Sequence, residues 1–168
     1  MSYKLNFCED RCSSRTRATA EILRHQRGLE VICHDNLREI SMGNWEGQRR
    51  QEIEQAYAAA YTAFWETPHL YSPENGGESY YDVQKRVLPL LDTLLARHEG
   101  ETILLVTHAA TLKIIMSHFA KIPLAQLWQP PFVHPTALCK VVIEDQRASI
   151  ELYGDTSHYQ ERVDGSEW

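Results

Sequence analysis

"ILLVTHAATLKIIM", residues 103–116, decides the fold class. Ile103, Leu104, Leu105 and Val106 form an unbroken apolar run, which predicts a short strand covered on both faces, as in a parallel sheet. From Ala109 onward the apolar positions recur at helical spacing, so "AATLKIIMSHFAK" predicts a helix. Thr107 and His108 stand at the handover. In a doubly wound fold ligands bind there, beside helix N-termini whose first N–H groups lack internal partners. Two readings of His108 follow. It meets an anion at the strand end, or it is a core histidine or cap bonded to the backbone.

The flanking sequence repeats the pattern of helices and strands. "YKLNF" predicts a short edge strand, and Ser13 or Ser14 predicts the cap of a helix through "RTRATAEILRHQRG", stopped by Gly28. "LEVICHD" predicts a strand, with Leu29, Val31 and Cys33 alternating against Glu30 and His34. "NLREISMGNWEGQRR" is irregular, punctuated by Gly43 and Gly47. One helix is predicted over "QRRQEIEQAYAAAYTAFWE", where Tyr57, Tyr61, Phe64 and Trp65 form a packing stripe. "PHLYSPENGGES" reads as a loop. Ser79 predicts the cap of a helix over "YYDVQKRVLPLLDTLLARHEG". Val83 as the fourth residue on predicts no capping box, and Pro89 predicts a kink or a lost backbone bond. "ALCKVVIED" and "ASIELYGD" predict two strands, paired as a hairpin across "DQR". The succession predicts one α/β domain over residues 1–168, with helices on both faces of a mostly parallel sheet in three α/β/α layers. Residues 1–10 and 159–168 are expected to be poorly ordered.

Composition bounds the function. The 168 residues are 43% hydrophobic and 24% charged, with a formal net charge of -6. That balance, without a basic helix, speaks against a nucleic-acid partner. No stretch reaches the length of a membrane span, and no apolar signal segment opens the chain. Cys8, Cys12, Cys33 and Cys139 have neither CxxC nor zinc-finger spacing. The expectation is a cytoplasmic protein with reduced thiols and no metal.

Several polar residues are candidates for chemistry. Arg15 and Arg17 sit in the first turn of a helix, where the dipole already supplies positive charge. Arginine there makes sense if an anion is shared with the helix amides, because guanidinium holds phosphate as a bidentate fork. The alternative is a solvated basic pair. Glu39 and Glu46 flank glycines in "LREISMGNWEG". A carboxyl in a concave, partly apolar site, with Trp45 as part of its wall, can stay protonated and donate to a leaving group. The alternative is an exposed loop acid. Glu78 follows two glycines that would let backbone approach a ligand closely. No dinucleotide fingerprint, phosphate-binding GxxxxGK[ST] loop or GxSxG elbow occurs.

Taken in order, Arg15 with "TA" at 19–20, "LREISMGNWEG", "GGESYYDVQKRV" and "ILLVTHAATLK" resemble the histidine phosphatase superfamily, the fold of cofactor-dependent phosphoglycerate mutase and its phosphatase relatives. The resemblance covers roughly residues 11–158. It implies a phosphate pocket in which His108 bonds the transferring phosphoryl group, Arg15 clamps it and Glu39 is the general acid. Glu78 and Ser79 would border the substrate, with Arg86 behind them. It implies no cofactor or metal, and a small phosphorylated molecule or inorganic phosphate as partner. By family analogy a phosphatase is favoured over a mutase, because the segment between "EG" and "GES" is short.

Members of that family open with a strand ending in Arg-His-Gly, whose histidine is the nucleophile. No such tripeptide occurs in these 168 residues. The resemblance therefore implies a phosphoglycerate mutase-like fold that is N-terminally truncated, with weak or no phosphatase activity. A non-catalytic phosphate binder or assembly subunit, and an active phosphatase rebuilt around His108, are the alternatives. A sheet without its central strand would expose unpaired backbone and apolar side chains, so a homodimer covering that gap is expected.

Overall fold

The computed structural model describes residues 3–7, 14–25 and 27–160, the first segment as backbone. Cys8, Cys12, Ser13 and the expected tail from residue 161 onward lie outside the described residues. Five strands and five α-helices follow in order. They are β1 (Tyr3–Phe7), α1 (Ser14–Arg24), β2 (Val31–Cys33), α2 (Arg50–Ala56), α3 (Ala58–Glu66), α4 (Tyr80–Arg97), β3 (Thr102–Leu105), α5 (Ala109–Ala120), β4 (Leu138–Glu144) and β5 (Arg147–Asp155).

The expectation for "YKLNF" is corrected. It is not an edge strand: β1 lies between β2 and β3 and runs parallel to both. Leu5 pairs with Val31 on one side and with Leu104 on the other. The sheet therefore has no central gap among the described residues, and the physical reason given for a homodimer falls away. The apolar run after Thr102 takes the flank next to β1, and "LEVICHD" shortens to the three residues of β2. The predicted hairpin is present. β4 and β5 pair antiparallel as a separate two-stranded sheet across Asp145 and Gln146, both with positive φ (49° and 61°), as a tight two-residue turn requires.

The long helix predicted over 48–66 divides at Tyr57, which leaves helical geometry at φ -131°, ψ 40°. Both flanking turns are kept. Tyr57 donates to the Ile53 carbonyl (2.8 Å), and Tyr61 donates to the Tyr57 carbonyl (2.8 Å). Either side of the break, Tyr57 and Tyr61 reach Trp45, with ring centroids 5.8 and 6.5 Å away. Pro89 does not end α4. Its missing N–H falls opposite Lys85, and both residues are exposed, so water can reach the unpaired carbonyl. The absent capping box is also corrected. Asp82, not Val83, is the residue that closes it: the Ser79 hydroxyl accepts from Asp82 N–H (3.2 Å), and the Asp82 carboxylate accepts from Ser79 N–H (2.9 Å).

The main core is aromatic. Trp45, Tyr61, Phe64, Tyr71 and Tyr80 are buried together, and Trp128 packs against them. The Tyr80 hydroxyl donates to the Phe64 carbonyl (3.0 Å) and accepts from Trp128 Nε1 (2.9 Å). Trp45 is 2% exposed within this cluster rather than forming an open wall for Glu39. The second cluster is small. Ala20 of α1 packs against Leu29, Val31, Cys33, Leu104 and Val106. The "TA" pair thus includes Ala20, the residue that seats α1 on the parallel sheet.

Candidate active site

The junction of β3 and α5 holds the irregular segment 34–46 against it. Thr107 Oγ1 donates to the Leu37 carbonyl (2.6 Å), and Thr111 Oγ1 donates to the Arg38 carbonyl (2.6 Å). These bonds bring Glu39 to the first turn of α5. One carboxylate oxygen, Oε2, accepts from Ala110 N–H (3.2 Å). The other, Oε1, accepts from Thr111 N–H (3.3 Å) and from its own neighbour Ile40 (2.9 Å). An anion at a helix N-terminus is the arrangement its free amides and dipole favour. Here the anion is a side chain of the protein, so two of the amides that the sequence suggested for a ligand are already taken.

His108 is the N-cap of α5, with extended backbone (φ -117°, ψ 170°) and no side-chain capping bond. The cap reading of its imidazole is thereby excluded. Burial pushes the imidazole below its ordinary pKa of 6.5. The Glu39 charge opposes that shift, and the charges of Arg15 and Arg86 add to it. Four residues named from sequence, at positions 15, 39, 86 and 108, therefore share one electrostatic neighbourhood. Arg15 is exposed on α1, whose first turn contains no acidic residue. Arg17 is exposed as well.

Glu78 has a different place from the one expected. Its Oε1 accepts from Arg38 Nη2 (2.6 Å) and Arg86 Nε (2.9 Å). Its Oε2 accepts from Ser41 N–H (3.0 Å) and Arg86 Nη2 (3.1 Å). Burial raises this carboxyl, but the Arg86 bond, the Ser41 N–H and the two guanidinium charges outweigh it and hold it below the usual carboxylate value. A carboxylate that accepts from four N–H groups anchors the segments that supply them. Ser79 is likewise engaged as the cap of α4. Arg86 extends the same network, donating to the carbonyls of Asn36 (2.6 Å) and Glu39 (3.2 Å). It acts on Glu39 through its backbone.

Of the two glycines of "GGES", a Cβ on Gly76 would meet nothing within 4 Å, whereas Gly77 approaches the protein closely. A Cβ on Gly77 would lie 2.4 Å from the Ser41 carbonyl oxygen, and one on Gly43 would lie 2.1 Å from that of Asn75. The two segments are laced together by Glu78 N–H to the Ser41 carbonyl (2.8 Å), Asn44 N–H to the Asn75 carbonyl (2.9 Å) and Asn75 Nδ2 to the Met42 carbonyl (2.8 Å). Glu46 braces the same turn, accepting from Ser41 Oγ and Met42 N–H.

Two residues escaped the sequence reading. Arg38 bridges Glu78 and Asp35 (2.8 Å), and its signal was only its place beside Glu39. Lys113 is 4% exposed, and its ammonium donates to the carbonyls of Gln129 (2.9 Å) and Pro131 (3.1 Å). A lysine inside "TLKIIM" is the available signal. No group of three His, Cys, Asp or Glu side chains that could hold a metal occurs among the described residues. No helix among them is long and apolar enough to cross a membrane.

Comparison with known proteins accounts for the ordered motifs. The family model of the histidine phosphatase superfamily (branch 1) matches residues 12–156. The chain belongs to that superfamily. Phosphoserine phosphatase 1 of Hydrogenobacter thermophilus is 28% identical over 138 residues, which cover 82% of this chain and 64% of that protein. A metal-independent phosphoserine phosphatase of Arabidopsis thaliana is 26% identical over 129 residues, covering 77% of this chain and 52% of its own. The chain thus spans about half to two thirds of the length of these relatives. The solved structure of Bacillus stearothermophilus YhfR superposes with a TM-score of 0.83 at 38% identity, over 93% of this chain and 74% of that one. A mycobacterial glucosyl-3-phosphoglycerate phosphatase in complex with inorganic phosphate shares the fold (TM-score 0.77, 23% identity, 90% of this chain and 76% of that one).

Proposed function

We propose that this chain binds the phosphoryl group of a small phosphomonoester beside His108, in a three-layer phosphoglycerate mutase-like α/β/α fold, with weak or no turnover of its own. The observation that carries this reading is the convergence on α5. The Glu39 carboxyl sits on the first turn, His108 caps it, and the charges of Arg15 and Arg86 act on the imidazole. Arg15, exposed and at a helix start, supplies the fork for two phosphoryl oxygens. His108 hydrogen-bonds a third. Glu39 Oε2 accepts only the Ala110 N–H, which leaves it a position to carry the proton for the departing alcohol. Relatives whose names specify phosphoserine or glucosyl-3-phosphoglycerate phosphatase activity support a small phosphorylated ligand.

Turnover requires attack on phosphorus, and the Arg-His-Gly tripeptide is absent from the 168 residues. An acid and a clamp position and protonate, but they form no covalent intermediate, and loss of a nucleophile outweighs loss of one supporting contact. One observation favours a second reading. Burial keeps the His108 imidazole in its neutral form, which is the nucleophilic one. In that route an imidazole nitrogen bonds phosphorus, the ester P–O bond breaks, the alkoxide takes the proton from Glu39, and water then cleaves the P–N bond.

Calorimetric titration with inorganic phosphate, combined with hydrolysis of p-nitrophenyl phosphate, tests the proposal. The expected result is saturable phosphate binding that is lost in Arg15→Ala and His108→Ala, with hydrolysis near background. Robust turnover with an alkali-stable, acid-labile phosphoryl label trapped on His108 would replace the first reading by the second. Absence of phosphate binding would overturn both.

A further inference from the structure

A cavity of about 110 Å³ lies immediately beside the phosphate site, walled by Trp65, Ala109, Lys113, Trp128, Phe132 and Val133. Its shared boundary with the site is Ala109. That residue follows His108 directly, and its other neighbour, Ala110, donates to Glu39. Adjacent Cα atoms are ~3.8 Å apart, so this wall residue is one backbone step from His108.

The wall is apolar despite its lysine. The Lys113 ammonium donates to the Gln129 and Pro131 carbonyls and lies over the Tyr153 ring, 5.2 Å from its centroid. Its charge is directed at backbone and ring, which leaves the methylene stem as lining. These bonds also fix the 129–133 segment that carries Phe132 and Val133. From the other side β5 closes on the same segment. A Cβ on Gly154 would lie 2.4 Å from the Phe132 carbonyl oxygen, and Gly154 has a positive φ of 71°. Trp128 is held by its bond to Tyr80, and its ring lies 5.0 Å from that of Trp65. The cavity is therefore pre-formed, and Phe132 in its wall is 46% exposed.

We propose that this cavity receives the alcohol portion of the phosphomonoester, and that it selects esters of aromatic or compact branched apolar alcohols over esters of polyols and sugars. The inference rests on the phosphate-site reading above. An enclosed apolar cavity of about 150 Å³ holds a benzene molecule, so this smaller but open one of about 110 Å³ takes a single ring that reaches partly into solvent, and no fused pair. Two indoles and a phenyl ring offer offset or edge contacts to such a ring. Hydroxyl-rich alcohols would lose water there without enough partners, because the Lys113 ammonium is already committed to backbone carbonyls.

The test compares methylphosphonate with benzylphosphonate, non-hydrolysable probes that share a phosphoryl-like head and differ in the ring. The readouts are calorimetric affinity and tryptophan fluorescence. Benzylphosphonate is expected to bind roughly ten- to a hundredfold more tightly, the range for burying one large apolar group. It should also perturb tryptophan emission where methylphosphonate does not. In Phe132→Ala, which removes one wall, the ratio of the two affinities should fall to about threefold or less. In Ala109→Leu, which fills the cavity from the α5 side, it should approach one. Equal affinities in the unmodified protein, with no emission change, would overturn the pocket assignment while leaving the phosphate site standing. Binding of neither phosphonate nor inorganic phosphate would overturn the site and the pocket together.

Discussion

The two sides of the proposed phosphate site are built in opposite ways. On one side, segments 34–46 and 75–79 and the N-termini of α4 and α5 are tied by Glu39, Glu78, Arg38, Arg86, Thr107 and Thr111, over an aromatic core. On the other, α1 carries Arg15 and rests on the parallel sheet through a cluster whose one fully buried member is Ala20. The braced side fixes the Glu39 carboxylate on the first turn of α5, the helix that follows His108. The lightly packed side presents an exposed cation with nothing acidic in its turn. Positioning groups must be over-determined to hold a geometry, whereas a clamp must remain available to its ligand.

The largest effect is expected from breaking the braced side. Glu78→Gln leaves Arg86, whose side chain is 10% exposed, without its charged partner. Breaking a mostly buried pair of this kind costs roughly 3 kcal/mol or more, read as a lower urea midpoint. An unchanged midpoint would mean that the network does not support the fold.

Gly43→Ala comes next, and Gly28→Ala sharpens the contrast. Both positions have positive φ (55° and 65°), but a Cβ on Gly43 meets the Asn75 carbonyl, whereas one on Gly28 meets nothing within 4 Å. Gly43→Ala should destabilise by about 2–4 kcal/mol, combining left-handed strain with overpacking, and Gly28→Ala by about 1–2 kcal/mol from strain alone. Equal losses would show that packing does not distinguish the two sides.

Arg15→Ala should shift stability by no more than about 0.5 kcal/mol, as for an exposed residue. Affinity for inorganic phosphate should fall at least about tenfold, because a charge-assisted fork is lost. A variant that unfolds early while still binding phosphate would reverse the roles assigned to the two sides.

The smallest effect is in pH dependence. The folded pKa of His108 lies below its ordinary value of 6.5, so the unfolded chain takes up the proton first. Stability is full above about pH 6.5 and declines as the pH falls from there towards the folded value, below which this contribution stops changing. Glu78 has the opposite protonation chemistry and the same direction. Its folded pKa is depressed, so its contribution is present above the ordinary value of 4.5 and is lost as the pH falls through the folded value. Urea midpoints at pH 7.5 and 5.5 should differ in the parent protein and converge in His108→Asn. Added phosphate should move the His108 imidazole resonance towards the protonated form, because it places an anion beside the ring.

Much of the site was legible because motif residues carry local signals. His108 could be placed at a strand-to-helix handover from "ILLVTHAATLK" alone, since the apolar period changes from continuous to helical there. Glu39 stood out beside glycines, but its partner could not be read. It caps the first turn of α5, 71 residues away along the chain. Glu78 and the glycines before it were legible as unusual, yet the close approach that Gly77 permits is to residues 41 and 43 of the same chain. A glycine pattern reports that backbone comes near something, not what comes near. "YKLNF" shows the same limit. Five residues of alternating character give a strand, but whether that strand is edge or centre depends on which neighbours offer unpaired backbone.

The sequence by itself determined the α/β class, the superfamily motifs and the residue types that a phosphate site needs, because periodicity, capping and charge placement act within a few residues. Tertiary structure alone decided which carboxylate braces the fold and which faces the imidazole. Two glutamates, each beside glycine-punctuated loops, are chemically identical in sequence. Glu78 became an anchor because two guanidinium groups and a backbone N–H converge on it. Glu39 became the site's carboxyl because threonines 107 and 111 pin its loop to the start of α5. Hydrogen-bond geometry and burial assign those partners, and both are properties of chain segments brought together from far apart.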